Sequence, residues 1–223
     1  MPEQSIRCLG KEWRLIRRIA SSKALKPDIL ILEQDGKSLV AKDFRPRGRF
    51  ARHVWGPLNL KYEYFILQKL AGIEGVPAII GFEDWNCLLL SRVADQGIKA
   101  GSDRLDDDFF TELQDIVSRI HRRGVLHLDL GHKSNIMVDA AGRPKVIDFN
   151  ISLYLPQNRF CRPLFRLLAR IDNYSVLRLK HKYRPESTSP EERKALRRFL
   201  RLRRLWIFDG LVRRLTNLGK RKN

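Results

Sequence analysis

The stretch His127–Asn150, HLDLGHKSNIMVDAAGRPKVIDFN, decides how the rest of the chain is read. NIMVD and KVIDF are strand-like runs joined by Ala140-Ala141-Gly142-Arg143-Pro144, and just before them GVLHLDL is an apolar run interrupted by His127 and Asp129. Pairing of the two runs as a hairpin brings Asn135 and Asp148 to the same open end. An amide oxygen beside a carboxylate is a hard-ligand pair suited to Mg²⁺ shared with substrate phosphates. Asp129, a few residues earlier, is placed to accept a proton from an attacking hydroxyl. Taken alone, the stretch is equally a surface hairpin with polar ends, so its neighbours have to decide.

Working outward, PDILILEQDGKSLVAKDF predicts two alternating strands turning at Asp35-Gly36. RPRGRFARHVWGP reads as a basic, irregular connector. LNLKYEYFILQKLAG has helical spacing, with Leu60, Tyr64, Leu67 and Leu70 on one stripe and Gly72 as the stop. VPAIIGFEDWNCLLLSRV offers two more strands. DDDFFTELQDIVSRIHRRG predicts a second helix with Phe109, Leu113, Ile116, Val117 and Ile120 on its buried face and Gly124 at its end. Asp106, Asp107 and Asp108 cap its start and complement its dipole, with metal binding as the minor alternative. Strands come first and helices later, an α+β order with a ligand cleft expected between the two parts.

On these residues the chain resembles the protein-kinase-like superfamily. The family pattern of a His-x-Asp loop, a metal-binding Asn and an Asp-Phe-Gly after a hairpin is matched by His127-Leu128-Asp129, Asn135 and Asp148-Phe149-Asn150. The thirteen-residue step from Asn135 to Asp148 is the family's usual spacing. The resemblance implies a two-lobed fold, MgATP as the nucleotide, Asp129 as catalytic base, Asn135 and Asp148 as Mg²⁺ ligands, and His127 as support for the loop backbone. It also implies a strand lysine that contacts the α/β-phosphates and a helix glutamate paired with it. LVAKDF supplies Lys42, and Glu63 follows 21 residues later. CLLLSRV falls at the hinge, where backbone groups around Ser91 to Val93 would bind adenine.

Three departures are visible. No glycine-rich phosphate loop exists; IASSKALKPDIL instead puts Ser21, Ser22 and Lys23 at the strand turn, similar to the loop of RIO-type kinases. Asp129 and Asn135 are separated by five residues instead of four, so an extra residue must bulge from the loop. Lys133 in that loop either neutralises the transferring phosphoryl group or is simply solvated. Asn150 stands where the family has glycine, a place where a positive φ is expected and asparagine is a good substitute. Only 75 residues follow Asp148, with no Ala-Pro-Glu motif, so a truncated lower lobe is expected. Small bacterial kinases that phosphorylate lipopolysaccharide core sugars, and RIO-like proteins, are trimmed in the same way. RIDNYSVLRLKHKYRPE also resembles a helix of the former, in which Asp172 either braces the catalytic loop or is an ordinary exposed or capping residue. The resemblance covers about residues 15–185.

The chain has 223 residues, 43% of them hydrophobic, enough for a sizeable core. Its net charge of +19 is uneven: residues 151–223 hold 20 of the 44 Lys/Arg and 5 of the 25 Asp/Glu. In STSPEERKALRRFLRLRRLWIFDGLVRRLTNLGKRKN, Ser189, Pro190 and Glu192 read as a capping box. Leu196, Phe199, Leu200, Leu205 and Trp206 form an apolar face opposed by arginines. That tail either packs on the lobe or lies on an anionic membrane surface, with nucleic acid a less favoured partner. No leader or spanning segment is expected, because no window approaches about 18 uncharged apolar residues. Cys8, Cys87 and Cys161 read as buried free thiols in a reducing cytosol. The expected division is an upper lobe at 1–92, a lower lobe at 93–185 and a basic helical tail at 186–223. The expected activity is ATP-dependent phosphorylation of a hydroxyl, favouring a lipid-linked core sugar at the inner face of the cytoplasmic membrane. The alternatives are a RIO-like protein serine/threonine kinase and a pseudokinase that binds nucleotide or acts as a scaffold.

Overall fold

The computed structural model describes residues 5–94, 96–98 and 105–205, with side chains up to 201. Its upper part is one antiparallel sheet of β1 (Ser5–Cys8), β2 (Lys11–Ile19), β3 (Asp28–Gln34), β4 (Lys37–Asp43), β5 (Ile79–Asp84) and β6 (Cys87–Ser91), ordered β1-β2-β3-β4-β6-β5. The β3–β4 turn is the two-residue connection expected: Asp35 and Gly36 have φ of 50° and 71°, and Gln34 pairs with Lys37. A strand pairs its two faces with two different cores when both faces are covered. Here Leu39 and Ala41 of β4 join Leu30, Leu32, Cys87 and Leu89 on the outer face. Leu88 and Leu90 of β6 point the other way, into the main core under the helices. Lys42 pairs with Leu88, so period-2 alternation places its side chain on the helix side of the sheet.

Between β4 and β5 the chain forms a π turn (Ala51–Trp55) that runs directly into α1 (Gly56–Lys69). The segment expected to be an irregular connector is therefore mostly helical. A Cβ at Gly56 would lie 2.6 Å from Phe44 Cγ and 2.7 Å from the Ala51 carbonyl, so glycine lets the turn close onto buried Phe44. Leu60, Glu63, Ile66 and Leu67 face inward, while Tyr64 of the expected stripe is only partly buried.

Lower down, β7 (Gln96–Gly97) precedes α2 (Asp107–Arg122), and β8 (Val125–Leu126), β9 (Ile136–Val138), β10 (Pro144–Val146) and β11 (Leu153–Tyr154) precede α3 (Arg162–Tyr183) and α4 (Pro190–Leu205). Asp106 caps α2, accepting the Phe109 N–H at 2.8 Å, which gives the acidic triplet its structural role. Phe110 joins the expected buried face of α2. Gly124 ends the helix at φ 77°, where a Cβ would meet the Leu155 carbonyl at 2.7 Å. In the apolar run GVLHLDL only Val125 and Leu126 form a strand, paired with β11. Two strands at the beginning, β1 and the long β2, have no counterpart in the stretches read as strands.

At the tail, Ser189 Oγ accepts the Glu192 N–H at 3.1 Å and Glu192 Oε2 accepts the Ser189 N–H at 2.8 Å, the capping box expected. α4 packs on α3 through buried Leu196, a Lys180–Glu192 ion pair and stacked Tyr174 and Phe199 rings 4.0 Å apart. Trp206 and the rest of the tail lie outside the described residues, as does the Leu205 side chain. Cys8 and Cys87 are buried free thiols, and burial pushes both up to about 12. Cys161 is only partly buried, because it precedes α3 on the exposed side of the fold. Among the described residues no helix is long and apolar enough to cross a membrane.

Candidate functional site

β9 and β10 pair with Ile136 opposite Val146 and Val138 opposite Pro144. The Ile147 N–H donates to the Asn135 carbonyl at 2.9 Å, which carries the ladder to the hairpin's open end. Asn135 and Asp148 emerge there together. From the sheet above, Lys42 Nζ donates to Asp148 Oδ1 at 2.8 Å and to Glu63 Oε1 and Oε2 at 2.6 and 2.8 Å. One ammonium thus joins strand β4, helix α1 and the hairpin end. The Phe149 N–H also donates to Glu63 Oε1 at 3.2 Å, tying the hairpin to α1 a second time.

The electrostatics follow from burial. Desolvation pulls the Lys42 ammonium down, but Asp148 and Glu63 beside it outweigh burial and hold it above its ordinary value. Burial pushes the Asp148 carboxyl up; Lys42 overrides it, helped by Lys26, and holds Asp148 below the usual carboxylate range. Lys26, on the loop between β2 and β3, is a contributor the sequence reading missed. It follows Lys23 by three residues in the same Ser/Lys loop, which was the available signal.

Asp129 accepts Asn135 Nδ2 on Oδ2 at 2.8 Å and on its carbonyl at 3.1 Å. Both partners are acceptors, which fixes the amide orientation and turns Asn135 Oδ1 away, toward the Ser134 hydroxyl at 3.1 Å. Asp129 Oδ1 has no protein partner among the described residues. The extra loop residue is taken up in two consecutive tight turns, His132 N–H to Asp129 carbonyl and Asn135 N–H to His132 carbonyl, both 3.0 Å. Lys133 is exposed on this loop, and the Lys182 ammonium of α3 holds it below the usual lysine range.

The loop is held from beneath. Asp172 on α3 is fully buried and accepts the backbone N–H groups of His127 and Leu128, both at 2.8 Å, and His121 Nε2 at 3.0 Å. Of the two roles open to Asp172, bracing is therefore the one seen. His127, also fully buried, donates Nε2–H to the Ile147 carbonyl at 3.0 Å and accepts the Asp129 N–H on Nδ1 at 3.3 Å. Those partners set its tautomer. Its ring lies 4.8 Å from that of Phe149. Leu128 and Asp148 have φ of 64° and 67°, two left-handed residues flanking the site. The positive φ expected at Asn150 falls on Asp148 instead, so asparagine at position 150 needs no glycine-like freedom.

The remaining predicted residues are less available. Ser21 donates its N–H to Asp28 Oδ1 at 3.0 Å, accepts the Lys23 N–H on its hydroxyl at 3.2 Å and accepts Arg47 on its carbonyl at 2.9 Å. Its polar groups are engaged by Lys23 of the loop, Asp28 of β3 and Arg47 beyond β4, whereas Ser22 and Lys23 are exposed. At the hinge, the Ser91 N–H donates to the Ala78 carbonyl at 2.8 Å and the Arg92 N–H to the Ser38 carbonyl at 3.4 Å. Val93 keeps its backbone groups unpartnered among the described residues. Among those residues no cluster of three or more His, Cys, Asp or Glu is placed to hold a metal. A cation here would rely on Asn135 and Asp148 plus ligand oxygens, as Mg²⁺ commonly does.

No family model matches the chain. A 50-residue segment, 22% of the chain, is 50% identical to CBL-interacting protein kinase 21 of Oryza sativa subsp. japonica and spans 9% of that protein. Among solved structures, the Cydia pomonella granulovirus kinase PK-1 aligns over 64% of this chain and 53% of its own, at 15% identity and a TM-score of 0.48. The BubR1 kinase domain aligns over 81% of this chain and 64% of its own, at 15% identity and a TM-score of 0.55. The chain therefore spans less than two thirds of each of these three proteins. The two-lobed α+β architecture, with its curled antiparallel sheet above helices, is a protein-kinase-like fold.

Proposed function

We propose that the chain is an ATP-dependent phosphotransferase acting on a hydroxyl. The observation that carries this reading is the meeting of Lys42, Glu63 and Asp148 above Asp129 and Asn135, five residues drawn from four separate segments. Glu63 holds the Lys42 ammonium where it can contact nucleotide phosphates. Asn135 Oδ1 and the Asp148 carboxylate are the oxygens that would hold Mg²⁺, which neutralises phosphate charge when bound. Asp129 Oδ1, without a protein partner among the described residues, orients the acceptor hydroxyl and takes its proton. The acceptor oxygen bonds to the γ-phosphorus, the bond to the bridging oxygen breaks, and ADP leaves with that electron pair. Catalysis of this kind is mainly positioning and charge neutralisation.

The favoured acceptor is a sugar on an envelope lipid of the lipopolysaccharide-core type, met at the inner face of the cytoplasmic membrane. The exposed arginines Arg197, Arg198 and Arg201 of α4 support it. A hydroxyl-bearing protein is the alternative acceptor. A nucleotide-binding module without transfer is favoured by one observation, the engagement of Ser21 by Lys23, Asp28 and Arg47. Phosphate release and acceptor labelling by purified protein with MgATP, beside Asp129→Ala, separate these readings. At least about a hundredfold loss in the variant is expected for removal of a general base. Equal turnover by both proteins would remove the enzyme reading, and labelling of protein but not of envelope lipid fractions would replace the acceptor.

A further inference from the structure

We propose that the outward face of the π turn and α1 docks on an anionic lipid bilayer. Phe50 and Leu58 are 61% and 62% exposed, and Val54, Trp55 and Tyr62 are exposed between and beyond them. Most large apolar side chains on a soluble surface stand singly; five on one helical face form a patch that calls for a partner. Phe50, Val54, Leu58 and Tyr62 recur every fourth residue. In a pure α-helix such a row drifts by about 40° per step. The π turn at Ala51–Trp55 closes its hydrogen bonds over five residues and widens that turn, which keeps Phe50 and Val54 in line with Leu58.

The patch extends to both sides of the cleft. Trp55 Nε1 donates to the Leu25 carbonyl at 3.0 Å, joining exposed Leu25 of the β2–β3 loop. The Tyr62 hydroxyl donates to the Ser152 carbonyl at 2.6 Å, beside exposed Ile151. Its charge is of one sign. No acidic residue lies between Asp43 and Glu63, and both of those are buried, at 6% and 1% exposure. Arg49, Arg52 and Lys61 are exposed on the helix, and Lys23 and Lys26 on the adjoining loop. A convex apolar row with amphipathic Trp and Tyr and a cationic border is the pattern of an interfacial helix, which sinks its apolar side chains between acyl chains and sets its cations among anionic headgroups. The one-signed border and the amphipathic Trp55 and Tyr62 among apolar side chains favour a bilayer over an acidic protein. One face of α1 then serves the nucleotide pocket through Glu63 and the opposite face the membrane. The inference rests on this surface alone and stands whichever acceptor is used.

The test is co-sedimentation of the full chain with vesicles of equal phosphatidylglycerol and phosphatidylcholine, and with phosphatidylcholine alone. The chain is expected to bind the anionic vesicles, more weakly as salt rises. Phe50→Glu/Leu58→Glu is expected to lower that affinity by about tenfold or more, since two anchors become charges facing anionic lipid. Arg197→Glu/Arg201→Glu, which alters only the basic tail helix, is expected to retain most of it. Thermal melts check that the α1 variant is folded, which two exposed positions should permit. Independently, brominated acyl chains are expected to quench tryptophan fluorescence less in Trp55→Phe than in the parent. Failure of the parent to bind anionic vesicles, parental binding by a folded α1 variant, unchanged quenching in Trp55→Phe, or loss of binding only in the α4 variant would each overturn the proposal. So would capture of an acidic protein by the same residues without vesicle binding.

Discussion

Removing the Asp172 carboxylate should destabilise the chain far more than its position on a solvent-edged helix suggests. Asp172→Ala strips the acceptor from two backbone N–H groups, those of His127 and Leu128, and from His121 Nε2. The carboxylate is fully buried, so water does not replace it without local opening. A buried donor left unsatisfied costs about 1–3 kcal/mol, and two of them with a charged partner amount to about 4 kcal/mol. Leu128 at φ 64° adds about 1 kcal/mol of strain that its bond to Asp172 offsets. A loss of this size is a large part of the stability of about 5–15 kcal/mol usual for a domain, and lowers the melting midpoint by about 10 °C. Asp172→Asn keeps one accepting oxygen but turns an NH₂ toward another donor, and should fall about midway. Urea titration gives the free energies, and amide exchange at His127 and Leu128 locates the opening. A cost for Asp172→Ala below about 1 kcal/mol, with those amides still protected, would refute the bracing argument.

Three further outcomes follow from the geometry. Burial already holds the Glu63 carboxyl above its ordinary value in the parent, against the pull of Lys42; Lys42→Met removes that cation, so Glu63 should titrate higher still. The resulting destabilisation of about 3–5 kcal/mol is full at neutral pH and shrinks, relative to the parent, as pH falls toward the ordinary carboxylate range. A parent-variant gap that does not narrow in acid urea titrations would contradict this. In the parent the depressed Asp148 contributes stability present above its unfolded value near about 3.9 and lost as pH falls through its lower folded value. Gly124→Ala combines a φ of 77° with a Cβ 2.7 Å from the Leu155 carbonyl, and should cost about 2 kcal/mol in urea titration. Ser189→Ala removes one half of the α4 capping box and should cost about 1 kcal/mol, read as faster amide exchange in the first turn of α4 with the main core unaffected.

Much of the site was legible because its geometry is local. The strand period in LVAKDF and the turn at Asp35-Gly36 decide which way Lys42 points, and the hairpin pattern decides where Asn135 and Asp148 emerge. Other features were hidden for physical reasons. The π turn carries its apolar residues outward, so no buried stripe marks the segment as helical. β1 is a four-residue edge strand, too short for alternation to register. Asp172 sits in an amphipathic helix like any surface acid until the fold lays the His127–Leu128 backbone over it. Lys26 and Lys182 act on the site only through space, across loops whose closure the sequence does not encode locally. The left-handed residue expected at Asn150 lies two positions earlier, at Asp148, because the chain reverses there.

The two-sided sheet has a consequence for how the chain finds its pairing. Leu39 and Ala41 belong to the outer apolar cluster, whereas Lys42 pairs with Leu88 on the inner face, against Glu63. A slip of β4 by one residue would swap these faces and drive an ammonium among Leu30, Leu32 and Leu89, away from either carboxylate. Burying an unpaired charge there costs several kcal/mol, so the misregistered sheet is excluded by the same side chain that holds the cleft together. Lys42 is in this sense a proofreader of the upper lobe. A neutral residue of equal length at that position would remove a charge from the pocket and, with it, a penalty that keeps β3, β4 and β6 in a single alignment.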